Sequence, residues 1–180
     1  MTGNQETQLI VSKVELILRG MISNHSKWEL AQDRGLSLCR SIEAKKSKCL
    51  QNNEDLYPND IGYYSSRLKK IIEIFKNILL DTEEFHKNLK ALENLSKNSN
   101  SLLFEFSKLE NIVTYCRNIT EKYSSEVKLK QKIVENISHG IDRTELLYYT
   151  SLWQYPLYAN DELKLIFAFI IKELCYSKGK

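Results

Sequence analysis

Leu68-Lys-Lys-Ile71-Ile-Glu-Ile-Phe75-Lys-Asn-Ile78-Leu-Leu-Asp-Thr82-Glu-Glu-Phe85-His-Lys-Asn-Leu89-Lys-Ala-Leu92 decides the fold class of this chain. Leu68, Ile71, Phe75, Ile78, Thr82, Phe85, Leu89 and Leu92 alternate steps of three and four. That is the heptad seam of a helix that packs against another helix, with one polar defect at Thr82. The same pattern returns at Leu102, Phe106, Leu109, Val113, Cys116, Thr120, Tyr123, Val127, Lys130, Val134 and Ile137. Lys97-Asn-Ser-Asn-Ser101 separates the two runs as a polar turn, so they are expected to form an antiparallel helical hairpin.

Upstream, Ile10, Val14, Ile17, Met21, Trp28, Ala31, Leu38, Ile42 and Cys49 keep the spacing, with gaps at Asn24, Gly35 and Lys45. Gln51 to Asp60 reads as a linker, in which Pro58 and Asp60 stop one helix and start another. Downstream, Asp142 and Glu145 have capping-box spacing, which opens a short helix that stops before Pro156. Asn160 is placed to cap a last helix, whose Leu163, Ile166, Phe167, Ile170, Ile171 and Leu174 share a broad apolar face.

The expected architecture is all-α and a single domain over residues 1–180. Long helices are predicted at about 6–50, 60–96 and 102–138, short ones at about 143–154 and 161–176, and a linker at 51–59. A helix of about 40 residues is about 60 Å long, more than the diameter of about 40 Å expected for a compact chain of this size. The prediction is therefore an elongated antiparallel bundle of three coiled-coil-like helices, capped by the two short C-terminal ones.

Composition agrees: among 180 residues there are only six Gly and two Pro, with 42% hydrophobic and 27% charged residues, which suits long helices around a core. The longest apolar run, Leu165 to Ile171, is far below the roughly 18 residues of a transmembrane helix. The N-terminus carries no basic segment followed by an apolar one, so the expected location is intracellular. Cys39, Cys49, Cys116 and Cys175 are scattered, as expected for reduced, buried thiols. Net charge is +3 without a concentrated basic face; Arg40, Lys45, Lys46 and Lys48, and Lys128, Lys130 and Lys132, are read as solvated helix faces rather than a nucleic-acid footprint.

Catalytic chemistry finds no foothold. Phosphate-cradling glycine loops are missing, His25, His86 and His139 lie far apart, and Glu83-Glu-Phe-His86 is a single copy of a pattern that a two-metal bundle needs twice. The expectation is a non-enzyme with no catalytic, cofactor-binding or metal-binding residues.

Two blocks carry a resemblance. Ser26-Lys-Trp28-Glu29-Leu-Ala-Gln-Asp33-Arg-Gly35-Leu36 is similar to a Lys-Trp-Glu-x-Leu-x-Asp-x-Gly stretch, with the Leu one place early. Leu129-Lys-Gln-Lys-Ile-Val-Glu135 through His139, then Leu147-Tyr-Tyr-Thr-Ser-Leu-Trp153-Gln-Tyr-Pro156-Leu-Tyr158, is similar to a lysine-bearing helix followed by Tyr-Leu-x-x-Trp-x-x-x-Pro-Tyr, with Leu157 inserted before Tyr158. Both resemble the cyclin-dependent-kinase-2-interacting protein (CINP) family. The resemblance implies a non-enzymatic helical adaptor, a subunit of an AAA-ATPase-containing assembly. It implies work in DNA replication, checkpoint signalling and maturation of the large ribosomal subunit, in the nucleus and also the cytoplasm. It further implies a small helical subunit, AAA ATPases, and checkpoint or replication kinases with their adaptors as partners, in a hetero-oligomer rather than a homodimer, without direct nucleic-acid or membrane binding.

The candidate partner-binding residues are Trp28, Leu147, Tyr148, Leu152, Trp153, Tyr155, Pro156 and Tyr158, because Trp/Tyr clusters dominate protein interfaces. The competing expectations are a self-associating structural coiled coil and a subunit of a tethering complex.

Overall fold

In the computed structural model the described residues are 2–96 and 108–177, and all the regular structure among them is helical. Helix α1 spans Thr2–Asn52, α2 Ile61–Ser96, α3 Leu109–Asn136, α4 Arg143–Gln154 and α5 Asp161–Ser177. A 3-10 turn, Ile137–His139, joins α3 to the segment before α4. The described residues are thus all-α, with three long helices followed by two short ones. The polar turn expected at residues 97–101, and the stretch 102–107 expected to open the third helix, lie outside the described residues.

Local chemistry sets the helix ends. Asn53 has φ +54, and Glu54 N–H donates to Cys49 O at 2.9 Å. This is a Schellman ending, with Asn in the left-handed position usually given to Gly. At α4, Glu145 N–H donates to Asp142 Oδ1 at 2.8 Å, and Glu145 Oε2 accepts Ile141 N–H at 3.1 Å. The capping box therefore closes, but its return bond falls one residue before the cap. Tyr155 N–H still bonds Ser151 O at 2.9 Å, and Pro156, which has no N–H to offer, ends the helix.

The chain divides into two compact units, each drawing on α1, α2 and α3. The first comprises residues 1–26, 79–123 and 161–180. Its core is Val14, Leu18 and Met21 of α1, Leu89 and Leu92 of α2, Leu109, Ile112, Cys116, Ile119 and Tyr123 of α3, and Leu163, Phe167, Ile170 and Leu174 of α5. Helix α5 runs antiparallel to α3: Glu162 pairs with Lys122 at 2.8 Å near one end, and Phe169 meets Tyr115 near the other. Polar groups occupy further buried positions, Thr82 of α2 and Glu173 of α5 among them. Buried Asn24 donates Nδ2 to Asp81 Oδ2 at 3.0 Å, and His25 hydrogen-bonds the Tyr123 hydroxyl at 2.9 Å while stacking flat on Phe167 at 3.9 Å.

The second unit comprises residues 27–78 and 124–160. Here α1 and α2 are antiparallel, Trp28 meeting Phe75 at 4.3 Å and Lys45 pairing with Asp60. Helix α3 runs parallel to α1, with Lys46 Nζ reaching Ser138 O at 2.5 Å. The seam of α1 in this unit is Trp28, Ala31, Gly35, Cys39, Ile42, Lys46 and Cys49. The apparent gaps at Asn24 and Gly35 are thus seam positions with unusual occupants. The assignment of Lys46 and Lys130 to solvated faces is corrected: both are fully buried.

Candidate partner-binding site

Helix α4 has an inward and an outward face, and the eight candidate residues divide between them. Leu146, Thr150 and Trp153 are buried, a 4-3 spacing that turns one stripe into the second unit. Trp153 is 0% exposed and Trp28 2%, so both indoles are core and neither offers a surface. Leu152 and Pro156 are half-buried. Outward-facing are Leu147, Tyr148, Tyr155 and Tyr158, joined by Leu157 and by Ile141 ahead of the helix. Tyr148 is 59% and Tyr155 66% exposed, values that leave most of each ring to water. Tyr148, Ser151 and Tyr155 follow i, i+3 and i+7 spacing, with Leu147 four residues before Ser151, so they form one strip along the helix.

The fastening under that strip is polar. Trp153 Nε1 donates to Gln32 O at 3.0 Å, and Gln32 Nε2 returns a bond to Trp153 O at 2.5 Å. This reciprocal pair fixes α4 against α1 in rotation and in register. Gly35 makes the approach possible, since a Cβ there would sit 2.0 Å from Trp153 Cζ2. On its other side the indole covers Lys130, whose Nζ lies 4.4 Å from the ring centroid and 5.8 Å from that of Phe75. Lys130 Nζ meets Glu126 Oε1 at 3.1 Å, one turn back on α3, and both side chains are 0% exposed. Glu126 Oε2 accepts the backbone N–H of Tyr158 at 2.9 Å and of Ala159 at 3.3 Å. Apart from each other, Lys130 Nζ and Glu126 Oε1 have no hydrogen-bonding partner among the described residues. The ammonium relies instead on the two aromatic faces.

Burial drives the electrostatics. It pushes Lys130 below the usual lysine range, while the carboxylate of Glu126 acts in the opposite sense. The Cys39 thiol is pushed up to about 12 by burial, against the pull of Lys130. Lys46 is pushed down by burial, opposed by Glu145 of α4, and lies 4.7 Å from the Tyr57 ring centroid. A lysine shut under an indole reaches no substrate; its position suits a fastening.

The two sequence blocks thus meet in one cluster. Trp28 and Gly35 from the first, and Lys130, Trp153 and the Tyr158 backbone from the second, pack around Phe75 and Glu126. Gln32 and Glu126 went unread as fastening groups. The available signal was Glu126 four residues before Lys130, with Lys130 in the seam register of α3.

No family model matches the chain. It is similar to the cyclin-dependent kinase 2-interacting protein of Bos taurus, at 24% identity over 156 residues, covering 73% of this chain and 74% of that protein. The likeness spans most of both chains, at a low identity that supports a relationship of the interacting-protein kind.

Proposed function

We propose that this chain is a non-enzymatic helical adaptor that presents the outward strip of α4 and the loop after it to a protein partner. One observation carries the reading: Leu147, Tyr148, Tyr155, Leu157 and Tyr158 are exposed together on a segment whose opposite face is locked by directional bonds. Aromatic anchors held rigid in advance lose little conformational freedom on binding, which favours affinity. A side chain that served only the chain's own core would turn inward, as Trp153 does.

The relative is named for its interaction with a kinase, cyclin-dependent kinase 2, and this supports a cell-cycle kinase or its assembly as the partner class. On the resemblance of the two blocks, the finer proposal is a nuclear subunit of an AAA-ATPase-containing assembly. It would act in DNA replication and checkpoint signalling, and in large-subunit ribosome maturation, beside another small helical subunit.

The test is affinity capture of the tagged full chain from cells, with Tyr148→Ala/Tyr155→Ala in parallel. Both residues are exposed, so the double variant should keep its helical circular dichroism. Recovery of AAA ATPases or cyclin-dependent kinases with the parent chain, and their loss with the variant, is the expected result. Partners retained by the variant would remove the strip from the interface. Recovery of the chain alone, as a homodimer by analytical ultracentrifugation, would replace the adaptor with a self-associating coiled coil.

A further inference from the structure

A second site lies between α1 and α2 within residues 27–78. Arg34, Ser37 and Leu38 of α1 and Arg67, Lys70 and Ile71 of α2 line a groove of about 630 Å³. Its charge is one-sided: three cations line it and no carboxylate does. Exposed basic side chains on a helical surface ordinarily find an acidic neighbour three or four residues away. Among the described residues neither Arg34 nor Lys70 forms an ion pair, and Glu73, three residues after Lys70 on α2, pairs with Lys76 at 3.0 Å. Arg67 donates to the Tyr63 hydroxyl and lies 5.2 Å from that ring's centroid, which holds the guanidinium in a defined place without neutralising it. The apolar part of the lining is Ile71, which is buried, and Leu38, which is half-buried.

We infer that this groove receives a phosphorylated segment of a protein partner, with Arg34, Arg67 and Lys70 as the phosphate ligands. A phosphoserine or phosphothreonine carries a charge of about −1.5 to −2 and three acceptor oxygens, which three cations from two helices match in number. The guanidinium forks of Arg34 and Arg67 suit bidentate contact with phosphate, and Lys70 adds a point charge. The Ser37 hydroxyl supplies one more donor, and Leu38 with Ile71 seats an apolar residue beside the phosphorylated one. Nucleic acid fits less well: its affinity comes from neutralising many phosphates along a track, and here the cations gather at one spot. The groove draws on none of the α4 residues proposed above, so it is a separate contact.

The experiment is fluorescence polarisation with the full chain and two labelled degenerate peptide libraries, one with phosphoserine fixed at the centre and one with serine. A labelled 20-nucleotide single strand and a 20-base-pair duplex run beside them. The phosphorylated library is expected to bind at least about tenfold more tightly than the other, the value of one charge-assisted hydrogen-bond set. Arg34→Ala and Arg67→Ala should each lower that binding about tenfold, Arg67→Lys should fall between, and helical circular dichroism should not change. Tyr148→Ala/Tyr155→Ala should leave peptide binding intact, which separates this site from the α4 strip. Equal binding of both libraries, binding of neither, or indifference to the arginine variants would overturn the inference. Tighter binding of an oligonucleotide, lost in the same variants, would overturn it in favour of nucleic acid.

Discussion

Helix α4 and helix α5 both follow the long helices, and they are attached by opposite means. Helix α5 buries Leu163, Phe167, Ile170 and Leu174 along a 4-3-4 stripe and stacks Phe167 on His25. Helix α4 buries only Leu146, Thr150 and Trp153, but Trp153 exchanges hydrogen bonds with Gln32 and covers an ion pair. Apolar burial is non-directional, so several side chains of similar size would satisfy α5. Directional bonds to single atoms accept few alternatives. The attachment that needs particular residues is the one that carries the candidate surface, and both sequence blocks of the resemblance lie around it.

The hardest test of that contrast is Lys130→Ala. It leaves the buried Glu126 carboxyl without its partner, and should cost about 3–5 kcal/mol in urea unfolding. Replacing both members, as Glu126→Leu with Lys130→Met, should cost less than this single change, because it removes the desolvated charges together. A double variant as damaged as Lys130→Ala would mean that the bonds from Glu126 to Tyr158 and Ala159, rather than charge pairing, hold the loop.

Next is a matched pair of aromatic changes. Trp153→Phe removes the donor to Gln32 O and should cost about 2–3 kcal/mol, whereas Phe167→Leu in α5 should stay below about 1.5 kcal/mol. Equal costs would dissolve the distinction between the two helices. Gly35→Ala tests the close approach by overpacking. With a Cβ 2.0 Å from the indole, α4 must shift, and a loss of about 1–3 kcal/mol is expected. The smallest effect is at the cap: Asp142→Ala removes the side-chain acceptor for Glu145 N–H and should cost about 1 kcal/mol.

The cysteines sharpen the comparison by chemistry. Cys39 and Cys116 are both pushed up to about 12 by burial, far above a thiol in water, so at pH 8 they stay protonated while the fold holds. Iodoacetamide at that pH should modify exposed Cys175 first and reach Cys39 and Cys116 only on unfolding. Early labelling of Cys39 in the native chain, read by mass spectrometry, would mean that the cluster around Lys130 opens readily.

Heptad spacing was enough to read much of the helices: the seam of α2, that of α3 from Leu109 onward, the capping box at Asp142 and the stop at Pro156 all follow from residue type and position. What periodicity hides is the occupant of an irregular seam position. Asn24 and Gly35 look like gaps because hydropathy scores side chains singly; one is satisfied by Asp81 and the other makes room for Trp153. Lys130 sits in the seam register four residues after Glu126, but its aromatic cover, Phe75 and Trp153, becomes visible only when three helices are brought together. Trp153 and Tyr155 are two residues apart and equally aromatic, but only the helical turn decides that one faces the core and the other water. The Arg34, Arg67 and Lys70 groove is a further case: the run Arg67-Leu-Lys-Lys70 is visible in the sequence, but only the packing of two helices sets Arg34 beside it.

Both tryptophans of the chain, Trp28 and Trp153, contribute to the second unit and to the Phe75 cluster. Intrinsic tryptophan emission is therefore a private signal of that unit, and the cation 4.4 Å from the Trp153 ring centroid should shift its colour when the cluster opens. The first unit is silent at those wavelengths and reports only through tyrosine and the peptide bond. Melting followed by emission and by far-ultraviolet dichroism will superimpose if the units unfold together, and will separate if the fluorescent half keeps its own temperature.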